Sequence, residues 1–210
     1  MSKKTKLAFV TFLTFVRFPL VMFFFVGAIA YNTLQEKPLW LFVFTFASLI
    51  SSALTDLLDG YFARKFKVTT QFGAHVDPLM DKFFYLASLP LLIFLTAVNA
   101  HYRYATYILV LTLFFLARDQ WVTFLRSIGS LYNISGKANW SGKLRTALNF
   151  PMICVVYYRE EAPQHLQFFP DWFAYAFIIV TIVITAISLV IYNKQYWPYL
   201  RKAASIDMIE

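Results

Sequence analysis

Four aspartates and two glycines stand at fixed intervals in one short stretch of an otherwise apolar chain. The stretch reads Asp56-x2-Asp59-Gly60-x2-Ala63-Arg64-x8-Gly73-x3-Asp77-x3-Asp81. Residues three or four apart on a helix share a face, so each pair of aspartates should project from one side of its helix. Facing carboxylates repel one another unless cations neutralise them, and hard oxygen ligands suit Mg²⁺ or Mn²⁺ better than Zn²⁺. The spacing therefore predicts bound divalent cations.

The residues between the aspartates indicate what those cations would act on. Gly60 and Gly73 lack a Cβ atom, so a bulky ligand can approach the backbone closely. Arg64 offers a planar, permanently charged fork that suits a phosphate group. Metal ions that bridge phosphate oxygens, beside a carboxylate that takes a hydroxyl proton, carry out metal-assisted phosphoryl displacement. We therefore expect transfer chemistry on a phosphorylated substrate carried by a lipid.

The elements that must position these residues are membrane helices. The chain has 210 residues, of which 60% are hydrophobic, and 24 are Phe, so it reads as an integral membrane protein with one all-α domain over residues 1–210. Apolar runs of about 20 residues can cross a ~30 Å hydrocarbon core. The fifth run is short and contains Pro151, so it spans the membrane only if its helix begins near Trp140. The six predicted spans are 7–31, 40–58, 76–98, 104–125, 147–158 and 172–192.

The basic residues predict the orientation of these six helices. Short cytoplasmic loops of membrane proteins carry an excess of Lys and Arg. Here Arg17, Lys82 and Arg118 lie within the runs, and one side of the membrane receives only Lys37, Arg103 and Arg159. All the other Lys and Arg residues lie on the opposite side. Both termini and the aspartates should thus be cytoplasmic, and the net charge of +8 requires no nucleic acid. A cleaved signal peptide is the alternative for the first run, but the run is too long and contains an arginine.

The complete pattern from residue 56 to residue 81 resembles the signature of the CDP-alcohol phosphatidyltransferase family. Members transfer a phosphatidyl group from a CDP-linked lipid to an alcohol and release CMP. The resemblance implies that Asp56, Asp59, Asp77 and Asp81 bind two Mg²⁺ or Mn²⁺ ions, with Asp81 also the general base on the acceptor hydroxyl. It further implies a homodimer in the bacterial inner membrane. The CDP site that it implies consists of Asp56, Gly60, Ala63, Arg64, Thr70 and Gly73, although Thr70 could instead cap the third helix.

The acceptor alcohol is indicated by segments around this signature. The run Asp77-Pro78-Leu79-Met80-Asp81-Lys82 resembles the form found in the branch of the family that uses glycerol 3-phosphate and in its cardiolipin synthase relatives. Residues 14–17, 117–126 and 142–146 resemble the glycerol 3-phosphate branch. Charge-assisted bonds from Arg118, Lys143 and Arg145 would hold the acceptor phosphate. Lys143 and Arg145 could instead enforce topology, and Arg17, Lys82 and Arg118 could snorkel to the interface or neutralise the aspartates. Phosphatidylglycerol and inositol phosphate stay open as other acceptors.

A divalent-cation transporter is the alternative from a different functional class. Intramembrane carboxylates could form its filter, but a conduction path should continue across the bilayer. The other predicted helices offer no acid near the middle of the membrane, because Asp119 lies near the cytoplasmic end of its run and four others lie in or beside predicted outer loops. Those others are Glu36, Glu160, Glu161 and Asp171. We therefore predict catalysis.

Overall fold

A computed structural model describes residues 3–68, 71–134 and 139–205, with the side chains at 3, 71–75, 77 and 78 outside that description. Six long helices form the described chain, and each contains one of the six predicted apolar runs. The predicted all-α class is therefore confirmed. A short 3₁₀ turn, Gln164–Leu166, precedes the last helix. The helices are α1 (Lys3–Thr33), α2 (Leu39–Phe66), α3 (Gln71–Val98), α4 (Tyr102–Leu131), α5 (Trp140–Glu161) and α6 (Asp171–Ala204).

Five helices in the described chain are long and apolar enough to cross a membrane, namely α1, α2, α4, α6 and the Leu79–Val98 part of α3. The protein is thus an integral membrane protein. Helix α5 begins at Trp140, as a sixth span requires, and contains Pro151. It is not among the five, because Lys143, Arg145 and Asn149 lower the hydropathy of its first half. The sixth span and the cytoplasmic termini remain predictions.

The connection between α2 and α3 is shorter than the gap between the predicted apolar runs. Those runs end at residue 58 and resume at residue 76, but α2 runs to Phe66 and α3 begins at Gln71. Hydropathy marks only the apolar part of a helix, and good helix formers such as Arg and Lys continue it past the apolar run. Lys67 follows the last residue of α2 and caps the helix: it has a left-handed conformation (φ 51°), and its N–H bonds the carbonyls three and four residues back.

The chain divides into two compact units, and the first comprises Met1–Ala105 and Ile153–Phe169. Helix α1 packs against α2 and α3 in this unit. Aromatic residues join α1 to the last part of α5, where the rings of Phe24 and Tyr157 meet edge to face at 5.0 Å. The hydroxyl groups of Tyr157 and Thr45 lie 2.6 Å apart, which gives both buried hydroxyls a partner.

The second unit comprises Thr106–Met152 and Pro170–Glu210. Its core joins α4 to α6 through Val122, Leu125, Tyr192 and Tyr196, all at most 2% exposed. Gly129 permits this approach, because a Cβ atom there would overlap the ring of Tyr196. Close packing at a glycine is a common way for membrane helices to associate.

Candidate active site

Three aspartates of the signature meet at one arginine in the first unit. The Nη2 atom of Arg17 donates hydrogen bonds to Oδ1 of Asp56 and to Oδ2 of Asp59, the latter at 3.1 Å. Its Nη1 atom donates to Oδ1 of Asp81 at 2.9 Å. The hydroxyl group of Thr14 donates to the same Asp59 oxygen at 3.0 Å. We call Arg17, Asp56, Asp59 and Asp81 the aspartate cluster; it links α1, α2 and α3.

Matching helix faces explain why this cluster forms. Thr14 and Arg17 are three residues apart on α1, as Asp56 and Asp59 are on α2, so each pair presents one polar face. An arginine in the middle of an apolar helix is costly unless it pairs with acids. The pairing therefore fixes how α1 lies against α2 and α3. It also shows that Arg17 neutralises the aspartates, one of the two roles that the sequence left open.

The carboxylates of the cluster differ in their access to solvent. The side chain of Asp59 is 6% exposed and that of Arg17 is 3% exposed. The side chains of Asp56 and Asp81 are 42% and 44% exposed. Asp59 is therefore an internal anchor for the arginine, whereas Asp56 and Asp81 can be reached by a ligand from outside the helices.

The donor set has the chemistry that a divalent cation needs. Within residues whose side chains are described, no three acidic, His or Cys groups stand close enough to hold a metal ion. Three hard carboxylate donors nevertheless bind one shared cationic group, Arg17, and two of them face outward. Asp77 lies in α3, and its side chain is outside the described part. The described residues thus fit the predicted metal ions in chemistry.

The predicted CDP-binding residues continue along α2 from the aspartates. Gly60, Ala63 and Arg64 lie in the last two turns of the helix, and Arg64 is exposed. A Cβ atom at Gly60 would lie 3.3 Å from Nη1 of Arg64, so the guanidinium group folds back over the glycine. Gly73 lies in the first turn of α3. Thr70 lies outside the described residues.

Two of the three predicted acceptor residues meet in the second unit. Oδ1 of Asp119 lies 3.0 Å from Nη2 of Arg145 and 3.5 Å from Nη1 of Arg118. The arginine side chains are 9% and 3% exposed, whereas Lys143 is exposed. The structure therefore brings Arg118 and Arg145 together on one carboxylate and leaves Lys143 at the surface.

The sequence did not identify the contribution of α6 to this arginine site. Five polar residues spaced three or four apart form a buried stripe on this otherwise apolar helix, which is the signal that could have revealed it. Ser188 accepts a hydrogen bond from Nη2 of Arg118 at 2.5 Å, and Tyr192 accepts one from Nη2 of Arg126 at 2.7 Å. The stripe consists of Thr181, Thr185, Ser188, Tyr192 and Tyr196.

A second polar cluster in the first unit is built on two buried glutamates at the end of α5. Their side chains are 0% exposed, although the sequence placed them in or beside an outer loop. Oε1 of Glu161 accepts hydrogen bonds from Asn32 at 2.5 Å and Asn99 at 3.2 Å. Glu160 pairs with His101 at 2.9 Å and with the adjacent Arg159. We call these six residues the glutamate cluster.

Burial changes the titration of the second glutamate, which lies beyond the predicted fifth span. Loss of solvation raises the pKa of Glu161 to about 7, because burial disfavours the charged carboxylate. The ammonium group of Lys37, 3.7 Å away, opposes this rise but does not cancel it. Glu161 thus gains a proton in the folded protein more easily than an exposed glutamate does.

Comparison with known proteins gives a consistent result. The family model described as CDP-alcohol phosphatidyltransferase matches residues 8–187. A protein of Haemophilus influenzae named CDP-diacylglycerol--glycerol-3-phosphate 3-phosphatidyltransferase is 32% identical over 139 residues, which cover 64% of this chain and 67% of that protein. A protein of the same name from Pectobacterium atrosepticum is 30% identical over 72% of this chain and 77% of its own length. A cardiolipin synthase (CMP-forming) of Oryza sativa is 27% identical over 80% of this chain and 52% of its own length.

Proposed function

This chain belongs to the CDP-alcohol phosphatidyltransferase family, and we propose that it transfers a phosphatidyl group from CDP-diacylglycerol to glycerol 3-phosphate. CMP is released and phosphatidylglycerophosphate is formed, which is a step of phospholipid synthesis. Two relatives that are at least 30% identical carry the name of this reaction. Family members are generally metal-dependent, and Mg²⁺ or Mn²⁺ is the ion proposed here.

The observation that best supports this proposal is the convergence of three signature aspartates on Arg17. Asp56 and Asp59 lie on α2, and Asp81 lies on α3, 25 residues after Asp56. All three carboxylates nevertheless bond the one guanidinium group of Arg17. Two of the carboxylates are open to a ligand, which a purely structural ion pair would not require. A membrane location of the site also suits a donor whose acyl chains stay in the bilayer.

In the proposed reaction, the acceptor hydroxyl oxygen attacks the phosphorus that carries the diacylglycerol. The bond from that phosphorus to the bridging oxygen of CMP breaks, and CMP leaves with the electron pair. Asp81 receives the hydroxyl proton; its exposure gives an acceptor access to it. Asp56, Asp59, Asp77 and Asp81 would hold the metal ions, which neutralise charge that develops on the phosphate oxygens.

The remaining site residues would bind the two substrates. Gly60, Ala63, Arg64, Thr70 and Gly73 are assigned, with Asp56, to the CDP moiety. The exposed Arg64 guanidinium at the end of α2 suits the donor's charged pyrophosphate. Arg118, Lys143 and Arg145 are assigned to the phosphate of glycerol 3-phosphate. A homodimer in the bacterial inner membrane, with this site facing the cytoplasm, completes the proposal and rests on the family and on the distribution of basic residues.

Phosphatidylglycerol is the second candidate acceptor. The similarity to a cardiolipin synthase favours it, because the printed name describes a CMP-forming reaction of the same family. The two acceptors differ in chemistry, since glycerol 3-phosphate carries a terminal phosphate dianion and phosphatidylglycerol carries a phosphodiester with one charge. Buried arginines in the second unit favour the acceptor with the greater charge.

CMP release by the purified protein tests the proposal. The protein is assayed with CDP-diacylglycerol, Mg²⁺ or Mn²⁺, and one of glycerol 3-phosphate, inositol phosphate, serine or phosphatidylglycerol. We expect release with glycerol 3-phosphate and its loss on addition of EDTA. Release with another alcohol alone would keep the family and reject the acceptor. Absence of release with every alcohol would reject the proposed catalysis and return attention to cation transport.

A further inference from the structure

The arginine site of the second unit carries more positive charge than its described partners balance. Arg118, Arg126 and Arg145 lie along α4 and α5, and the described ion pairs join Asp119 to Arg118 and Arg145. Among the described residues, the Nε atoms of all three arginines and Nη1 of Arg145 are buried without a hydrogen-bond partner. Buried polar groups and charges are costly when they are not paired. The site is therefore suited to an anion.

Tyr192 on α6 is the residue that contacts most parts of this site. Its hydroxyl oxygen accepts hydrogen bonds from Nη2 of Arg126 at 2.7 Å and from the backbone N–H of Asn139 at 3.1 Å. Its ring lies under the guanidinium groups of Arg118 and Arg126, with distances of 5.0 and 5.2 Å to the ring centroid. The side chain is 0% exposed. One tyrosine thus touches two arginines and the residue that precedes α5.

The contact with Asn139 extends this influence to the helix that carries the other basic residues. Helix α5 begins at Trp140, directly after Asn139, and places Lys143 and Arg145 in its first two turns. Gly142 lies beside the same tyrosine, because a Cβ atom there would lie 3.1 Å from the Tyr192 hydroxyl oxygen. The start of α5 is therefore held against Tyr192 by a hydrogen bond and by close packing.

We propose that Tyr192 is a positioning residue for the acceptor phosphate, which orients Arg118 and Arg126 and holds the start of α5 through its hydroxyl group. This inference rests on the proposed function, whose acceptor is a phosphate dianion. Tyr192 lies beyond residues 8–187, so the family match does not assign it a role. Oriented guanidinium groups bind a phosphate more strongly because less side-chain freedom is lost on binding.

The competing role of Tyr192 is packing alone. Its ring belongs to the core with Val122, Leu125 and Tyr196, and a phenylalanine would fill the same space. The hydroxyl group separates the two roles. Tyr192→Phe keeps the ring under both arginines and removes the hydrogen bonds to Arg126 and Asn139. Ser188→Ala, one turn earlier on α6, removes the acceptor for Arg118 and provides a second, independent change.

Steady-state rates of CMP release distinguish the positioning role of Tyr192 from packing alone. For Tyr192→Phe, we expect the KM for glycerol 3-phosphate to rise about tenfold, or about 1.4 kcal/mol, with kcat and the KM for CDP-diacylglycerol within about twofold of wild type. Ser188→Ala should move the same constant in the same direction. Tyr157→Phe is the matched control: it removes an equally buried hydroxyl group that is paired with Thr45 and should leave both KM values unchanged.

The outcomes separate this inference from the proposed function. A wild-type protein that does not use glycerol 3-phosphate would reject the function itself. Normal turnover by wild type, together with an unchanged KM for glycerol 3-phosphate in both Tyr192→Phe and Ser188→Ala, would overturn only the role of Tyr192. A lower kcat together with equal rises in both KM values and a lower unfolding temperature would assign Tyr192 to packing, and this result would also overturn the inference.

Discussion

The aspartate cluster and the glutamate cluster both place acids from the first unit beside cationic or amide groups, but they differ in exposure. In the aspartate cluster, one arginine binds three carboxylates, and Asp56 and Asp81 stay 42% and 44% exposed. In the glutamate cluster, both carboxylates are 0% exposed and are bonded by side chains from several parts of the chain. Asp56 and Asp81 are paired and still accessible, so a ligand can reach them, whereas the two enclosed glutamates form their bonds within the protein.

Because of this difference in exposure, replacing an acid by its amide should have different effects in the two clusters. An amide at an accessible aspartate removes a charge that substrate or metal would meet, and the helices lose little packing. An amide at a buried glutamate keeps most hydrogen bonds and removes a charge that burial disfavours. Substitutions in the aspartate cluster should therefore lower activity, whereas substitutions in the glutamate cluster should change how stability depends on pH.

The largest expected effect is on activity, from Asp81→Asn. The asparagine cannot accept the acceptor proton, so we expect CMP release to fall by about 10³-fold or more. Asp56→Asn should cause a comparable loss because it removes a proposed metal ligand. Both variants should elute as wild type does in size-exclusion chromatography. Asp171→Asn, at an exposed aspartate in the first turn of α6, is the matched control and should retain activity. Activity of Asp81→Asn within tenfold of wild type would show that Asp81 is not the general base, and it would contradict the functional role given to the aspartate cluster.

The second effect is on stability, from Arg17→Met. The methionine leaves Asp59 buried without its cation, and breaking such a pair costs about 3 kcal/mol. Arg17→Lys, which keeps the charge but cannot bond three carboxylates through one planar group, should cost less. Thermal unfolding in detergent measures both. Mn²⁺ should raise the unfolding temperature of Arg17→Met more than that of wild type, because the bound Mn²⁺ replaces the positive charge of the lost arginine. An Arg17→Met protein as stable as wild type would show that the arginine does not anchor the cluster.

The two clusters also differ in how far the sequence reveals them. The aspartate pairs could be predicted because helical spacing is local, and an arginine within an apolar run signals that acids lie near it. The identity of those acids required the packing of three helices. The glutamates looked like loop residues because their hydrogen-bond donors, Asn32 and Asn99, are 129 and 62 residues away from Glu161. The role of Tyr192 was likewise hidden, because its partners lie on α4 and before α5.

The smallest expected effect is on the pH dependence of stability, from Glu161→Gln. The pKa of Glu161 is about 7 in the folded protein and 4.5 for an ordinary glutamate, so the folded state binds more protons between these pH values. The stability that Glu161 contributes is therefore fully present below pH 4.5 and decreases as pH rises to about 7.

Glutamine resembles the protonated carboxyl group and cannot ionise, so the variant should lack this decrease. We expect similar unfolding temperatures for the two proteins at pH 5 and a variant that is more stable by at least about 1 kcal/mol at pH 8, since the pKa of about 7 already includes the attraction to Lys37. The activity should stay at the wild-type level. Parallel pH profiles of unfolding, or a loss of CMP release in Glu161→Gln, would mean that the buried glutamate is not the enclosed structural acid that its contacts indicate.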